Sequence, residues 1–386
     1  AVLYFRPRAS RSSEEFYGDP RYGELWVGVR PSLEEVEHAT GIACAHIDSL
    51  GDALAKDAGT LELCVVSEAD PSVTELVNQV RSQNGAVDAQ VNAANDAKLL
   101  EALAELRLIK DQWEIEQLEL AVSVTKSGFE KLIRSLPRAT EHWRGERVLE
   151  GAFGAVAREE GNGLGYDTIA ASGNHANTLH WINNDGRVLE SDMVLVDAGA
   201  EVDSLYTADV TRTLPVSGTF SEAQRKIYQA VLDAADASFA KANEPGVRFR
   251  DLHNAAMEVL AERLESWGCL PEGVTAAQSL SAEGQYHRRW MVHGTSHHLG
   301  LDVHDCAQAR REMYMDALLE PGMCFTIEPG LYFRADDLQV PEELRGQAVR
   351  IEDDIVIDPD GSARRITADI PRDTDDVENW VRSLRG

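Results

Sequence analysis

The residues best suited to chemistry lie in the segment His293–Asp305, which contains four of the eleven histidines of the chain. These four are His293, His297, His298 and His304, and glycines interrupt the run. Neutral imidazole is the commonest metal ligand and the usual proton shuttle near neutral pH. Taken alone, the segment fits either a metal or catalytic site or a set of histidines that core or solvent satisfies.

Acidic residues follow apolar, strand-like runs elsewhere in the sequence. Asp197 closes the run 194–196, and Asp209 lies in a similar apolar setting further along the chain. Burying an ionised carboxylate costs several kcal/mol unless it is paired or binds a metal, so two such positions favour a cation. For each aspartate alone, a strand-end residue capped by backbone N–H groups is the alternative.

Two more acids repeat this pattern nearer the C-terminus. Glu328 ends the apolar run 324–327, and strand alternation places Glu352 on the same face as Arg350. Four carboxylates and one imidazole suit Mn²⁺, Co²⁺ or Fe²⁺ better than a thiolate-rich structural zinc site. Five ligands exceed what one catalytic ion usually takes from a protein, so the set predicts two divalent ions.

Composition excludes several function classes. The formal net charge of −29 argues against nucleic acid as a partner, because phosphates are bound through clustered Lys and Arg. The sequence contains no apolar run of roughly 18 residues, so no membrane span is predicted. Five cysteines without a C-x-x-C pair favour a reducing cytoplasm. Since the chain starts without Met and in a strand-like run, we expect that upstream sequence is missing.

The elements that must position these residues divide into two parts. Residues 1–108 alternate strands and helices and predict a small α/β domain. Its predicted strands are Val2–Phe5, Glu24–Val27 and Leu61–Val66, and a capping-box pattern begins a helix at Ser32. A helical stretch over 96–133 joins this domain to the next, with the boundary near residue 108.

Residues 109–386 predict an α+β domain, because long amphipathic helices are grouped apart from clusters of short strands. The strands Met193–Asp197 and Ala208–Leu214 favour an antiparallel ribbon. The acidic stretch 373–378 is interpreted as the solvated start of a helix. The predicted long helices span about 111–134, 141–160, 222–243 and 250–267.

In combination, the motifs VDAGA, ADVTRT, HGTSHHLGLDVHD, TIEPGLY and VRIEDD resemble the pita-bread metallopeptidases of family M24. That family includes aminopeptidase P, prolidase, methionine aminopeptidase and the metal-free creatinase. The resemblance covers nearly the whole chain and implies a pita-bread catalytic domain after a shortened creatinase-type N-terminal domain. The implied metal ligands are Asp197, Asp209, His297, Glu328 and Glu352. Asp209 and Glu352 would bridge two ions, Asp197 would hold one, and His297 with Glu328 would hold the other.

The resemblance also implies residues that handle the substrate. His180, His293, His304 and Arg350 match such positions, and Tyr332 follows the predicted ligand Glu328. Their alternatives are a core-satisfied strand histidine for His180, a surface ion pair for Arg350 and simple packing for Tyr332. His298 would point away from its neighbour His297 in extended backbone, so we expect it to take no part.

The implied reaction is hydrolysis of the N-terminal Xaa-Pro bond of peptides by a metal-bridging hydroxide, with Mn²⁺ favoured over Co²⁺, Fe²⁺ and Zn²⁺. Glu328 would carry the proton of the water to the leaving nitrogen. His293 and His304 would donate hydrogen bonds to the carbonyl oxygen or the tetrahedral intermediate. A homo-oligomer is expected, either a dimer or a tetramer.

Other activities fit the sequence less well. It contains no G-x-S-x-G elbow, H-E-x-x-H helix or P-loop, which argues against serine hydrolases, thermolysin-like proteases and P-loop enzymes. All five predicted ligands are present, unlike in creatinase. Ser296 before His297 looks more like bacterial aminopeptidase P than prolidase. Prolidase, which cleaves Xaa-Pro dipeptides, stays an alternative, and a non-enzymatic peptide-binding protein is the alternative from another class.

Overall fold

Two units divide the chain, at residues 1–102 and 103–386. The computed structural model describes residues 1–67, 69–84 and 88–385. In the first unit, the parallel strands β1 and β2 pair from Val2 with Ala43 to Phe5 with His46. The elements that begin before the unit boundary are β1 (Val2–Phe5), α1 (Glu14–Gly18), α2 (Glu24–Val27), α3 (Leu33–Thr40), β2 (Ala43–His46), α4 (Leu50–Asp57), α5 (Pro71–Gln83) and α6 (Ala89–Leu106).

Two of the predicted strands in this unit are wrong. Glu24–Val27 is a short helix, and Gly28, at φ +90°, ends it with its N–H bound to the Glu24 carbonyl. Leu61–Val66 contains only an isolated bridge at Leu61. Side chains satisfy its backbone instead, since Arg81 donates to the Leu63 carbonyl and the Val65 N–H donates to Asp96.

The helix predicted from the capping box at Ser32 is confirmed as α3. The Ser32 hydroxyl accepts from the Glu35 N–H, and the Glu35 carboxylate accepts from the Ser32 N–H. The helical stretch predicted over 96–133 is instead two helices, because α6 ends at Leu106. Asp111 and Glu114 then form a second capping box that begins a new helix.

The second unit contains the long helices where the sequence predicts them. Two of these helices pack through Phe129 and Phe153, whose ring centroids lie 5.8 Å apart. The helices of this unit are α7 (Gln112–Arg134), α8 (Leu136–Glu141), α9 (Gly145–Glu160), α10 (Glu222–Ala242), α11 (Phe249–Ser266), α12 (Ala276–Leu280) and α13 (Thr374–Arg385).

Short antiparallel sheets fill the space between these helices, in the strand orders β4-β5-β7, β12-β11-β8, β10-β9 and β3-β6. The predicted ribbon is confirmed, since β5 and β7 pair from Met193 with Pro215 to Ala198 with Val210. The strands are β3 (Gly163–Leu164), β4 (Ile169–Ser172), β5 (Met193–Ala198), β6 (Ala200–Glu201), β7 (Val210–Pro215), β8 (Cys324–Ile327), β9 (Gly330–Phe333), β10 (Gln347–Arg350), β11 (Asp353–Ile357) and β12 (Ala363–Arg365).

A glycine allows the backbones on either side of the ribbon to approach each other closely. A Cβ atom at Gly199 would lie 1.7 Å from the carbonyl oxygen of Ala208. Real Cβ atoms are never found so close to a backbone oxygen, so any other residue would push the two chain segments apart. Gly199 follows Asp197 by two residues and Ala208 precedes Asp209, so this close approach lies beside both carboxylates.

The helix start predicted over 373–378 is confirmed, and Asp373, Asp375 and Asp376 are exposed as expected, whereas Glu378 is not. Glu378 in α13 is buried, and its carboxylate accepts from the Phe220 N–H and from Arg225. These contacts attach the helix to the segment that leads into α10. No helix of the described residues is long and apolar enough to cross a membrane.

Candidate metal centre

The ribbon β5–β7 places the first two predicted ligands side by side. Asp197 lies near the end of β5 and pairs in register with Thr211, while Asp209 immediately precedes β7. Both aspartates are buried. The apolar residues of the two strands are part of the core. The two carboxylates at this end of the ribbon are therefore buried as well.

Strand β8 positions two more of the predicted ligands, His297 and Glu328. The Thr326 N–H donates to the His297 carbonyl at 2.9 Å, and the Glu328 N–H donates to the Thr295 carbonyl at 2.8 Å. These bonds align the histidine-rich segment along β8 and its continuation. His297 and Glu328 consequently face the same side, and their Nε2 and Oε1 atoms lie 3.6 Å apart.

The fifth predicted ligand lies between β10 and β11. Glu352 donates its backbone N–H to the Thr211 carbonyl at 3.1 Å, which brings it beside the ribbon. Arg350, two residues earlier, places its guanidinium Nη2 2.5 Å from the Asp197 carboxylate. The shared face that strand alternation predicts for Arg350 and Glu352 is therefore present.

Three of the predicted ligands come close enough to bind one ion together. The donor atoms of Asp209, His297 and Glu352 all lie within 4.8 Å of one another. His297 Nε2 is 3.3 Å from Asp209 Oδ2 and 4.0 Å from Glu352 Oε1. An imidazole between two carboxylates supplies the mixed nitrogen and oxygen donors that divalent transition metals prefer.

A cavity of about 410 Å³ opens onto these groups. Of the predicted site residues, only Tyr332 is not part of its wall, although its hydroxyl lies behind the wall in contact with His293 and Arg350. The predicted residues that line the cavity are His180, Asp197, Asp209, His293, His297, His304, Glu328, Arg350 and Glu352.

The carboxyl groups at this cavity outnumber the cationic side chains that could neutralise them. Burial, together with neighbouring carboxylates, raises the pKa of Glu328 to about 7. The pKa of Glu352 is also raised well above its usual range, by burial and by Asp209 and Glu328. Burial raises the pKa of Asp197 even though Arg350 opposes the change. These carboxyl groups are therefore short of positive charge.

Three of the four histidines that line the cavity have shifted pKa values, and the shifts differ in direction. Burial opposes a charge on His297, yet its hydrogen bond to Asp209 and the nearby Glu328 raise its pKa to about 9. Burial and Arg350 lower the pKa of His293 to about 3, and burial and His297 lower that of His304. His293 and His304 are consequently neutral at physiological pH and can each donate a single N–H.

The hydrogen bonds of His293 fix its tautomer. Its Nδ1 lies 2.6 Å from the Gly294 carbonyl, which can only accept, so Nδ1 carries the proton. Nε2 then accepts from the Tyr332 hydroxyl at 2.8 Å, and that hydroxyl accepts from Arg350 Nη1 at 3.1 Å. His293 thus belongs to a chain of contacts that reaches Asp197 through Arg350.

Sequence reasoning missed three residues that contact the predicted ligands. The Tyr166 hydroxyl contacts carboxylate oxygens of both Asp197, at 2.7 Å, and Asp209. The Thr211 hydroxyl donates to Glu352 Oε2 at 2.6 Å. Asp354 accepts from the Asp209 N–H at 3.2 Å. Of these, only Asp354 carried a signal, because it stands two residues after Glu352 and so lies on the same strand face.

A fourth missed residue holds the segment that carries His180. Glu146 is fully buried in α9, and its carboxylate binds Ser172 N–H, His175 Nδ1, Trp181 Nε1 and Gly186 N–H at 2.6–2.9 Å. His175 also stacks on Trp181, with ring centroids 4.0 Å apart. Four contacts from one buried carboxylate hold both sides of the His180 loop.

His298 lies apart from the cavity, as its place in extended backbone predicts. Its ring is buried and stacks on Phe249, with centroids 4.7 Å apart. The rings of Tyr314 and Phe325 each lie at 77° to the plane of the imidazole. Burial in this aromatic setting lowers the pKa of His298 to about 3, so it is a neutral packing residue.

Comparisons with known proteins show which family and which fold the chain shares. The model of metallopeptidase family M24 matches residues 116–359. Xaa-Pro aminopeptidase 1 of Streptomyces coelicolor is 47% identical over 386 residues, which are 100% of this chain and 74% of that protein. The low-pH form of Escherichia coli aminopeptidase P superposes with a TM-score of 0.83 and 27% identity, covering 100% of this chain and 83% of that one. A zinc-substituted form of that enzyme with product has the same TM-score, identity and coverage.

Proposed function

Since the chain belongs to metallopeptidase family M24, we propose that it removes the first residue from peptides whose second residue is proline. The chain is an aminopeptidase with the pita-bread fold that its motifs predict. This excludes the non-enzymatic peptide-binding protein. The observation that carries the proposal is the single cavity that all five predicted ligands line.

The donor set fits divalent metal ions. Asp209 and Glu352 would contribute to the binding of both of two ions, Asp197 would hold one of them, and His297 with Glu328 would hold the other. The raised pKa values of Glu328 and Glu352 support it, because ionised carboxylates that crowd together without enough protein cations need counter-charge. Mostly oxygen donors with a single imidazole favour Mn²⁺. When bound, such ions lower the pKa of water and polarise a carbonyl group.

The residues around the ions would move protons and hold the peptide. Glu328 would take a proton from the attacking water and deliver it to the leaving nitrogen. His304 faces the cavity, and its ring centroid lies 4.4 Å from that of His297. As a neutral imidazole it would donate one N–H to the carbonyl oxygen as negative charge develops there.

His180, His293, Arg350 and Tyr332 would shape the substrate pocket. The nitrogen that leaves an Xaa-Pro bond carries no N–H in the peptide, so the pocket can select for the ring without satisfying a donor. Because His293 already bonds Gly294 and Tyr332, it would act by holding the Tyr332 hydroxyl as well as by facing the peptide.

Turnover of matched peptides tests this function. Protein loaded with Mn²⁺ is given Ala-Pro-Ala, Ala-Ala-Ala and the dipeptide Ala-Pro, and release of alanine is measured. We expect rapid cleavage of Ala-Pro-Ala and slow cleavage of Ala-Ala-Ala. Turnover confined to Ala-Pro would establish prolidase instead, and equal rates for the two tripeptides would exclude specificity for proline.

The surroundings of the enzyme follow from the same proposal. Its substrates are proline-containing peptides rather than nucleic acid, in keeping with a net charge of −29. We place it in the cytoplasm, as the low cysteine content predicts. The homo-oligomer expected from the resemblance stays a prediction, and the elution volume of the pure protein in size-exclusion chromatography would test it.

A further inference from the structure

A second cavity, of about 280 Å³, opens beside the first one. The two cavities share His293, Gly294 and Ser296 as wall residues, so the segment that carries the predicted ligand His297 separates them. The proposed function assigns no role to this second cavity. A peptide that lies in the first cavity would have to cross this shared segment to reach the second one.

The chemistry of its wall is unusual for this acidic protein. No aspartate or glutamate lines the cavity in the described part of the chain, whereas Arg250, His253, His287 and Arg288 do. Arg250 forms an ion pair with Asp316 at 2.7 Å. Arg288 forms no ion pair with any described residue. Burial lowers the pKa of both His253 and His287, so the arginines carry the positive charge of this wall, and Arg288 in particular favours an anion.

The basic run 287–289 divides its charges between two places. Arg289 turns to Asp337 and forms a bidentate pair with contacts of 2.8 Å. Arg288, its neighbour, lines the cavity instead. Guanidinium groups bind carboxylates through paired N–H donors, so a peptide carboxylate is the anion that matches Arg288.

The rest of the wall is apolar. Phe249 and Met291 are buried there, while Val292 and Met315 keep 50% and 37% of their surface exposed. A pocket that combines apolar surface with one cationic group suits an apolar side chain that carries a carboxylate nearby. The third residue of an Xaa-Pro-Yaa tripeptide with a free C-terminus has this combination.

We propose that this second cavity binds the residue after proline and that Arg288 pairs with its carboxylate. The proposal rests on the proposed function, because an aminopeptidase substrate has only one residue before the cleaved bond and extends beyond the proline. Arg288 is then a specificity-determining residue that favours short peptides with a free C-terminus over longer or amidated ones.

Paired substrates test the proposal in protein loaded with Mn²⁺. The value of kcat/KM is measured for Ala-Pro-Leu, Ala-Pro-Leu-amide, Ala-Pro-Glu-amide and Asp-Pro-Leu-amide, in the unaltered protein and in Arg288→Gln. We expect the unaltered protein to prefer the acid Ala-Pro-Leu over its amide by about tenfold, as for one partly exposed charge-assisted hydrogen bond. Arg288→Gln should reduce this ratio to about one, mainly by raising KM for the acid.

Arg289→Gln is the matched control, because it removes the same charge one residue away and outside the cavity. It should keep the acid-to-amide ratio of the unaltered protein. Met315→Glu is a second variant that places a negative charge in the cavity, and it should lower kcat/KM for the acid more than for the amide. The melting temperature of each variant shows that it is folded.

The possible outcomes separate the two proposals. An acid-to-amide ratio that Arg288→Gln does not change would overturn the subsite, while cleavage of all four peptides would still support the aminopeptidase. A loss confined to Asp-Pro-Leu-amide would place the carboxylate on the first residue and overturn the assignment to the third. If Arg288→Gln lowers kcat/KM for both Ala-Pro-Glu-amide and Ala-Pro-Leu, the subsite accepts a carboxylate from the side chain or from the C-terminus of the third residue. Cleavage of none of the peptides would sink the proposed function itself.

Discussion

Three consecutive acids, Glu352, Asp353 and Asp354, are equally buried but lie in two different environments. Asp353 faces one side of the strand, where Arg212 Nη2 donates to it at 2.7 Å and the Thr367 hydroxyl at 2.7 Å. Burial opposes its charge, but Arg212 and Arg372 lower its pKa. The protein supplies all the counter-charge that this carboxylate needs.

Glu352 and Asp354 face the other side. Burial and Asp209 raise the pKa of both well above the usual range, with Glu328 contributing at Glu352. One oxygen of Asp354 has no hydrogen-bond partner among the described residues. Burial is the same on both faces of the strand, so the difference lies in the cations that the chain supplies. A cluster of buried carboxylates beside a cavity, without enough cations from the chain, therefore indicates a cation from outside the chain.

The largest loss of activity is expected on the side of the strand that carries Glu352 and Asp354. Glu352→Gln should reduce activity by a factor on the order of 10³ or more and remove bound metal, because it deletes a proposed bridging carboxylate. Activity and metal content, the latter by inductively coupled plasma mass spectrometry, are measured on the same sample. Full metal content in this variant would show that Glu352 is not a ligand.

His304→Ala separates metal binding from catalysis on the same face. Activity should fall by about 10²- to 10³-fold, the usual cost of losing a donor to the developing oxyanion. Both ions should stay bound, because His304 is not among the proposed ligands. Metal analysis beside the assay decides this, and loss of metal would move His304 into the ligand set.

On the other side of the strand, where Arg212 neutralises Asp353, a substitution should lower the stability of the protein and not its activity. Asp353→Asn leaves the charge of buried Arg212 uncompensated, and we expect it to lower the free energy of unfolding by about 3–5 kcal/mol. Urea denaturation measures this change. Metal content per folded molecule should stay that of the unaltered protein, and a metal-free but stable Asp353→Asn protein would contradict the division between the faces.

Removal of metal should reveal a pH dependence with a defined sign. The folded-state pKa of Glu328 is raised from 4.5 to about 7 and that of His297 from 6.5 to about 9, so both groups bind protons more tightly in the folded protein. Their contribution to stability is complete below their unfolded pKa values and is lost as pH rises through the folded ones.

Metal-free protein should therefore become less stable, by a few kcal/mol, as pH rises from about 6.5 to about 9, a range in which His293 and His298, with folded pKa values of about 3, are already neutral. Bound metal replaces the protons, so protein with Mn²⁺ should vary much less over this range. Urea midpoints with and without a chelator provide the measurement. An increase in the stability of the metal-free protein over this pH range would refute the electrostatic account.

The smallest effect is expected at His298, which is not part of this strand. His298→Phe keeps an aromatic ring against Phe249 and Tyr314, so stability should change by less than about 1.5 kcal/mol. Activity should stay within about twofold of the unaltered protein in the peptide assay. A large loss of activity with stability unchanged would give His298 a role that its position does not explain.

Much of the candidate site could be predicted because its signals are local. Asp197, Asp209 and Glu328 each follow an apolar run, and motif likeness adds His297 and Glu352. Tyr166 could not be found in this way. It lies 31 residues before Asp197 in a segment without strand or helix periodicity, and only the folded chain brings its hydroxyl to the carboxylates.

The fold was easiest to predict where elements are long. The helices α7, α10 and α11 repeat their apolar spacing over many turns, whereas a run of four residues such as Glu24–Val27 fits a strand or a helix equally well. In the structure it is a helix that ends at Gly28. The strand predicted over 61–66 is wrong because side chains distant in sequence bind its backbone groups. Such contacts leave no local pattern in the sequence.

Gly199 shows how a residue without a functional group can behave like part of an active centre. It touches no proposed ion or substrate, yet any side chain there would collide with the Ala208 carbonyl and separate Asp197 from Asp209. A saturation mutagenesis screen that reads only activity would therefore rank Gly199 beside the ligands. Screens of this kind measure geometric tolerance together with chemistry, and a parallel readout of protein abundance would be needed to tell the two apart.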